Sequence, residues 1–244
     1  MLSKPKIIEK WQKRNRFGRP GTTLITKKIA IHYTGQADVE GWRTVSYFNN
    51  VVANGYKVNG KYVYASSHYV IDLDGTIFQL IPTSEQCYAT NSANKYAIAV
   101  EVATTGEDNH YTDETYKSMV HLCAWLCQYK GLDCKTDIIT HTDVVGKAYK
   151  LCPIYMVKNP HKMTQFKTDC HNLKSGKITL DNIINCTSPD YIKNSSTSPL
   201  PKMIKVKKDV NYRKHPDFKT SSIAGVAKAG DIFTVVDLVE RNDT

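Results

Sequence analysis

The segment His141–Pro153 has the residue types of a metal site. It begins with an imidazole and ends with a thiol followed by proline, and it carries Lys150 just before Cys152. Zinc binds neutral imidazole nitrogen and thiolate sulfur, and a catalytic zinc keeps three protein ligands and leaves its fourth position to water. Two ligands from one segment are too few, so a third must come from elsewhere in the chain.

The best candidate for the third ligand is His32, which follows the apolar run Ile29–Ile31. A side chain at the end of a strand in an α/β sheet projects into the cleft where ligands bind. A single histidine there is more often structural, and Asp143 competes because it lies close to His141. We predict that His32 is the ligand and that Asp143 caps a helix or supports His141.

Two charged residues are candidates for catalysis. Glu101 interrupts the apolar run Ala97–Val102, and a buried carboxylate without a partner is costly, so we expect it to face the cleft. Lys150 would lower the pKa of the nearby thiol and stabilise a developing oxyanion. The alternatives are a solvated strand face for Glu101 and a solvent-facing Lys150, with Lys147 as the rival lysine.

Four segments follow one another along the chain: Ile31–Gly35 with His32, a hairpin segment Ser66–Phe78, Ala97–Val102 with Glu101, and His141–Pro153 with Lys150 and Cys152. This arrangement resembles the type 2 N-acetylmuramoyl-L-alanine amidases, and the resemblance extends from Ile7 to Cys170. That family shares its fold with the peptidoglycan recognition proteins, and many members are phage endolysins. The resemblance therefore implies a peptidoglycan substrate.

The resemblance also implies roles for individual residues. His32, His141 and Cys152 would hold one catalytic Zn²⁺, and Glu101 would be the general base, although other members use a tyrosine. Lys150 is preferred because the family places its lysine two residues before the cysteine. The implied reaction is hydrolysis of the amide between N-acetylmuramic acid and L-alanine. The segment between His141 and Cys152 is longer than in shorter members, so the extra residues 147–149 should bulge outward.

Three further residues are candidate substrate contacts: His68, Tyr88 and Asn91. The family often carries a Trp-His pair in the loop that contains Tyr88 and Asn91, and Cys87-Tyr88 stands there instead. His68 follows Ser67 in a predicted hairpin, and its alternative role is packing.

The pattern of apolar residues predicts an α/β domain with a mixed central sheet flanked by helices, because a hairpin lies among crossover units. After an extended, cationic arm over Met1–Lys28, the predicted strands are Ile29–His32, Tyr64–Ile71, Thr76–Ile81, Tyr96–Ala103 and Asp137–His141. The predicted helices begin at Thr44, Thr112 and Asn159. The first should place Val45, Phe48 and Val52 on one face, and Gly131 should end the second. Asn59-Gly60 predicts a tight turn.

We predict three regions: a zinc amidase domain at 1–172, a linker at 173–201 and a small all-β module at 202–244. Residues 188–201 are rich in Ser, Asn and Pro, as linkers are. The short alternating strands beyond them resemble a bacterial SH3-type wall-binding module. This part is shorter than a full barrel of that type, so we expect an incomplete module or a truncated chain.

The net charge is +10 and the pI is about 9.1, so the surface should attract polyanions such as nucleic acid, anionic lipid or wall teichoic acids. No basic-then-apolar leader or long apolar span is evident, which predicts a protein made in the host cytoplasm without a membrane anchor and acting on the cell wall after release. Seven cysteines in such a chain indicate reduced thiols.

Two alternative functions and one rival metal site are disfavoured. A recognition module that binds peptidoglycan without cutting it would commonly lack Cys152. A nucleic-acid binder is disfavoured because we find no helix-turn-helix, stacking platform or finger spacing. A structural zinc at His121 with its neighbouring cysteines is disfavoured because Cys123 and Cys127 fit the core face of a helix. The oligomeric state stays open.

Overall fold

The computed structural model describes residues 1–183 and four short strands beyond them. Its first compact unit, Met1–Thr187, is a mixed α/β domain, as predicted. The six strands of its central sheet are β1 (Ile7–Glu9), β2 (Lys28–Ile31), β5 (Tyr69–Ile71), β6 (Ile77–Gln79), β7 (Ala97–Val102) and β8 (Ile138–Thr140). Its helices are α1 (Gly41–Ser46), α2 (Asp113–Lys130), α3 (His141–Val145), α4 (Ile154–Lys158) and α5 (Pro160–Lys174).

The strand order is β1-β6-β5-β7-β2-β8. All neighbouring pairs are parallel except the β5–β6 hairpin, which is the reason that the sheet is mixed. One side of the sheet consists of β7, β2 and β8, three neighbouring parallel strands whose carboxyl ends lie together. In α/β sheets ligands bind at these carboxyl ends.

Helices α2 and α5 cover one face of the sheet. The predicted start and end of α2 are confirmed: the Thr112 hydroxyl accepts from the Thr115 amide, and Gly131 ends the helix with a left-handed φ of 67°. The buried face of α2 includes Cys123 and Cys127, and Phe166 of α5 packs against it with no exposed surface. Among the described residues, no helix is long and apolar enough to cross a membrane.

The other face is partly covered by α1 and the turns that follow it, a π-helical turn (Tyr47–Val51) and a 3-10 turn (Val52–Asn54). Val45, Phe48 and Val52 are buried there, as the sequence predicted. The predicted start at Thr44 is wrong. The helix begins at Gly41 because the Asp72 carboxylate accepts from the amides of Gly41 and Trp42, at 2.6 and 3.0 Å.

The Asn59-Gly60 turn is confirmed. It joins the short strands β3 (Lys57–Val58) and β4 (Lys61–Tyr62), and both of its residues have positive φ, 49° and 77°. Two successive positive φ values are typical of the type I′ turn, which matches the twist of a hairpin.

The N-terminal arm is more ordered than predicted. Residues Ile7–Glu9 form β1 and pair with β6 at the edge of the sheet. Farther along, the Gln12 side chain is 1 % exposed and donates to the Phe48 carbonyl, and the Arg19 guanidinium binds Glu85. These contacts fix the arm against the turn that follows α1 and the loop that follows β6.

Glu85 should make stability depend on pH. Its carboxylate accepts from Arg19 at 2.8 and 2.9 Å and from Arg14 at 3.3 Å, and these bonds lower its pKa to about 2. A depressed folded pKa means that stability is present above the unfolded value near 4.5 and is lost as pH falls towards 2. We expect the free energy of unfolding of Glu85→Gln to be lower than that of the unmodified protein above pH 4.5, and this difference to shrink as pH falls towards 2.

Chemical denaturation of both proteins between pH 2 and 7 measures this difference. The matched control is Glu107→Gln, which changes an exposed carboxylate. A difference that stays constant across the range would contradict the assignment of the Arg19–Glu85 pair as the cause.

The second compact unit is Ser188–Thr244, of which the structure describes four strands: β9 (Met203–Lys205), β10 (Val210–Arg213), β11 (Ile223–Ala227) and β12 (Ile232–Thr234). β10 pairs with β11 and β9 with β12, both antiparallel. The predicted short strands are confirmed, and the Ser- and Pro-rich segment 188–201 lies outside the described residues. The SH3-type identity and the three-region division stay predictions. Residues after the predicted boundary at 172 still pack on the first core, among them Leu173 and Ile183.

Candidate active site

Side chains alternate between the two faces of the sheet along each strand, and this alternation brings two histidines and a glutamate close together. In β2, Ile29 and Ile31 face the α2–α5 core, so the next residue, His32, projects from the opposite face. In β7 the same alternation puts Glu101 on that opposite face. β8 pairs with β2 so that His141 follows directly beyond the last paired residues. Three neighbouring strands therefore deliver their polar side chains to one edge of the sheet.

The start of α3 fixes His141. Thr140 and Asp143 form a capping box, in which Asp143 accepts from the Thr140 amide at 2.8 Å and the Thr140 hydroxyl accepts from the Asp143 amide at 3.0 Å. The predicted capping role of Asp143 is confirmed. Because its carboxylate is used in the cap, Asp143 is a weaker candidate for metal binding than His32.

Thr142 brings Cys152 to the same place. Its hydroxyl donates to the Lys150 carbonyl at 2.8 Å and accepts from the Cys152 amide at 2.7 Å, and its own amide donates to the Cys152 carbonyl at 3.0 Å. These bonds close the segment between His141 and Cys152 into a loop. Residues 147–149 lie exposed at its outer side, as predicted, and Tyr149 is 71 % exposed.

One ligand atom each from His32, His141 and Cys152 lies within 4.8 Å of the other two. The three residues are at most 4 % exposed. Among the described residues, His32, His141 and Cys152 form the only group of three or more histidine, cysteine or acidic residues that lie close enough together to hold a metal ion. The cysteines near His121 form no such group, and His121 instead contacts the Ser3 carbonyl.

The outer nitrogens of both histidines are held by neighbouring residues of one loop. His32 Nε2 lies 2.9 Å from the Thr90 hydroxyl, and His141 Nε2 lies 2.7 Å from the amide oxygen of Asn91. On the other side of each ring, His32 Nδ1 lies 3.7 Å from Cys152 Sγ, and His141 Nδ1 is buried with no hydrogen-bond partner among the described residues.

Burial sets the protonation of the three side chains. It lowers the pKa of His141 to about 4 and that of His32 well below its usual value, and the positive charge of Lys150 adds to both effects. Both imidazoles are therefore neutral at pH 7, as metal ligands must be. Burial raises the pKa of Cys152 to about 12, so its sulfur is a thiol at neutral pH unless a cation lies beside it.

Glu101 lies beside this group, with its Oε1 4.0 Å from His32 Nδ1 and its side chain 13 % exposed. Burial raises the pKa of Glu101 to about 8, and the charge of Lys150 opposes that rise. Both residues line a cleft of about 360 Å³ at this edge of the sheet, together with His32. Lys150, and not its rival Lys147, is the lysine that lines the cleft.

The three predicted substrate contacts have different positions. Tyr88 lines the cleft and packs edge-on against Tyr64, with ring centroids 5.9 Å apart. His68 is fully buried, with its nitrogens beside the Ala99 amide at 3.0 Å and the Glu85 carbonyl at 2.8 Å. This burial favours the packing alternative for His68, and its role as a substrate contact stays a prediction. Asn91 contacts His141.

Two residues at the site were missed in the sequence: Thr90 and Thr142. Each is a threonine in a polar segment, and no period or motif distinguishes it from other threonines. The only feature of the sequence that points to them is that each is adjacent to a predicted site residue: Thr90 precedes Asn91, and Thr142 follows His141. Their roles depend on contacts that only the folded loops create.

Together the fold and the site define a mixed α/β domain with a His–His–Cys group of the type that holds zinc in an open cleft. The family described as N-acetylmuramoyl-L-alanine amidase matches residues 22–154. The chain belongs to this family. The match contains all three residues of the group as well as Glu101 and Lys150.

Individual relatives agree with this assignment. The N-acetylmuramoyl-L-alanine amidase BlyA of Bacillus subtilis (strain 168) is 27% identical over an alignment that covers 93% of this chain and 63% of BlyA. The chain thus spans less than two thirds of that relative. The structure is similar to the catalytic domain of XlyA (TM-score 0.54, 18% identity, 68% of this chain and 99% of that one). It is also similar to PlyL (TM-score 0.55, 20% identity, 71% and 100%).

Proposed function

We propose that the protein hydrolyses the amide between N-acetylmuramic acid and L-alanine in bacterial peptidoglycan, with one Zn²⁺ held by His32, His141 and Cys152. The observation that carries this proposal is the convergence of the three ligand atoms within 4.8 Å, beside a carboxylate in an open cleft. Family membership and the similarity to BlyA, an N-acetylmuramoyl-L-alanine amidase, support this substrate.

The three residues fit a zinc ion by their chemistry. Two neutral imidazoles and one sulfur are a donor set that zinc uses in catalytic sites. The buried Nδ1 of His141 has no hydrogen-bond partner among the described residues, and an unsatisfied buried nitrogen is costly unless a metal or proton donor meets it. Zinc, when bound, supplies a Lewis acid that polarises a carbonyl group and makes water more acidic.

Glu101 acts as the general base in this proposal. Its carboxylate takes a proton from the attacking water and returns it to the leaving amide nitrogen. Oε2 of Glu101 is buried with no hydrogen-bond partner among the described residues, so this oxygen has no competing contact there. A carboxyl group with a raised pKa is suited to both accepting and returning a proton near neutral pH.

Lys150 and Tyr88 interact with the substrate in this proposal. Lys150 lines the cleft and is exposed to solvent. In this proposal its ammonium group stabilises the negative charge that develops on the carbonyl oxygen during attack. The ring of Tyr88 offers an apolar surface on the cleft wall, and its partner Tyr64 is 53 % exposed. Anionic wall polymers are further candidate partners because the net charge is +10.

Removal of metal tests the proposal. We expect the protein to release new L-alanine amino termini from purified cell walls, to lose this activity on treatment with a chelator, and to regain it when Zn²⁺ is added back. The measurement is labelling and identification of the new amino termini. Magnesium added in place of zinc is the control, because Mg²⁺ prefers oxygen ligands.

The same experiment separates the amidase from the alternative functions. Co-sedimentation with cell walls but no new amino termini, with or without zinc, would favour a recognition module that binds without cutting. Cleavage that continues unchanged after complete metal removal would contradict the role of zinc.

A further inference from the structure

The loop residues Thr90 and Asn91 hold both histidines from behind. They are neighbours in sequence, and each contacts the outer nitrogen of a different histidine, at 2.9 Å for Thr90 with His32 and 2.7 Å for Asn91 with His141. We propose that Thr90 and Asn91 are positioning residues that fix the tautomer and ring orientation of both histidines for metal binding. This inference rests on the proposed zinc site, and it names two residues outside the ligand set that determine how tightly the site binds zinc.

The hydrogen-bond chemistry fixes the direction at Asn91. An amide oxygen only accepts hydrogen bonds, so Nε2 of His141 must carry the proton, and Nδ1 keeps the lone pair. That Nδ1 is the buried nitrogen without a hydrogen-bond partner among the described residues. The contact with Asn91 therefore selects the tautomer in which this buried nitrogen has a free lone pair that a metal can use.

Thr90 plays the same part for His32. Its hydroxyl lies 2.9 Å from Nε2, and we assign the proton to Nε2 with the hydroxyl oxygen as acceptor. In that tautomer Nδ1 of His32, 3.7 Å from Cys152 Sγ, keeps its lone pair. Thr90 is 1 % exposed, so water does not compete for this bond. The two histidine rings lie 4.7 Å apart at 59° to one another, and a bond at the back of each ring prevents it from rotating away.

The loop is built to hold these two residues in place. The Asn94 side-chain oxygen accepts from the amides of Ala89 and Thr90, at 3.0 and 2.6 Å. Asn91 has a left-handed φ of 50° and begins the 3-10 turn Asn91–Lys95. Left-handed backbone is tolerated by asparagine and glycine better than by other residues. Asparagine at position 91 therefore adopts the left-handed backbone conformation readily and also supplies the side-chain oxygen that contacts His141.

The test at Asn91 uses glycine and aspartate. Asn91→Gly keeps the left-handed backbone and removes the oxygen, and we expect its zinc affinity to fall by ~10- to 100-fold, the usual effect of losing an outer partner. Asn91→Asp keeps an acceptor at the same place and should bind zinc nearly as well as the unmodified protein. Asn59→Gly is the matched control, because Asn59 is an exposed asparagine with a φ of 49° in the β3–β4 turn.

The test at Thr90 uses valine and serine. Thr90→Val keeps the shape and removes the hydroxyl, so zinc affinity should fall in the same range, whereas Thr90→Ser should restore it. Competition with a chromophoric chelator measures the zinc dissociation constant of each full-length variant. Nitrogen NMR shifts of the histidine rings in the metal-free protein report the tautomer, which a merely structural residue would leave unchanged.

The outcomes separate the two proposals. If the unmodified protein binds no zinc, the proposed function fails. If it binds zinc and Asn91→Gly and Thr90→Val bind equally well, the positioning role is overturned while the proposed function stands. Weaker binding in these two variants, with recovery in Asn91→Asp and Thr90→Ser, supports the inference.

Discussion

Replacing Cys152 with serine is expected to remove bound zinc and wall-lysing activity together. The sulfur is one of three ligand atoms within 4.8 Å, and the residue is 1 % exposed, so no other side chain takes its place without moving the loop that Thr142 holds. A serine hydroxyl is a poor zinc ligand at neutral pH. The loss of affinity should exceed the ~10- to 100-fold effect of an outer partner.

Metal analysis of the purified variant and the amino-terminus assay on cell walls measure the two effects. The control is Cys87→Ser, which changes another buried cysteine, 3.2 Å from His68 and outside the ligand group. Circular dichroism of both variants shows whether the fold is kept. A folded Cys152→Ser protein that retains zinc and lytic activity would show that the ligand set is wrong.

Exchange of Glu101 for glutamine should separate metal binding from turnover. The carboxylate lies 4.0 Å from His32 Nδ1 and is not one of the three grouped ligands, so zinc content should stay the same. Glutamine has nearly the same shape but cannot accept the proton of the attacking water. Loss of a general base costs about 100-fold or more in kcat.

Steady-state kinetics on soluble wall fragments, with zinc content measured on the same samples, tests this expectation. Glu9→Gln is a suitable control because Glu9 is exposed on β1, at the far edge of the sheet from β8. Unchanged kcat in Glu101→Gln would move the base to another group of the cleft, with Tyr33 as the first candidate. Loss of zinc in this variant would instead make Glu101 part of the metal site.

The fold follows from local patterns to a large extent. The apolar positions of α2 recur on one face, and Thr112 and Gly131 mark its ends, so the helix was predicted with nearly its final bounds. The Asn59-Gly60 turn was equally clear, since few other pairs accept two positive φ values. Such signals depend on residues close in sequence, which is why sequence alone reveals them.

Other elements are decided by distant contacts. The start of α1 depends on Asp72, whose carboxylate is 31 residues from Gly41 in the chain. The N-terminal arm becomes a strand only because β6 offers it an unpaired edge. No periodic pattern in either segment shows these partners, because the partner and not the segment supplies the hydrogen bonds.

At the candidate site, the sequence by itself determined the residue types and their order: His32, Glu101, His141, Lys150 and Cys152. Only the tertiary structure decided which atoms of these residues face one another, that Thr90 and Asn91 lie behind the two histidines, and that His68 is buried in the core. The physical reason is that strand order and loop closure join residues far apart in the chain. Distances between such residues are properties of the folded sheet, whereas residue type and spacing are properties of the chain.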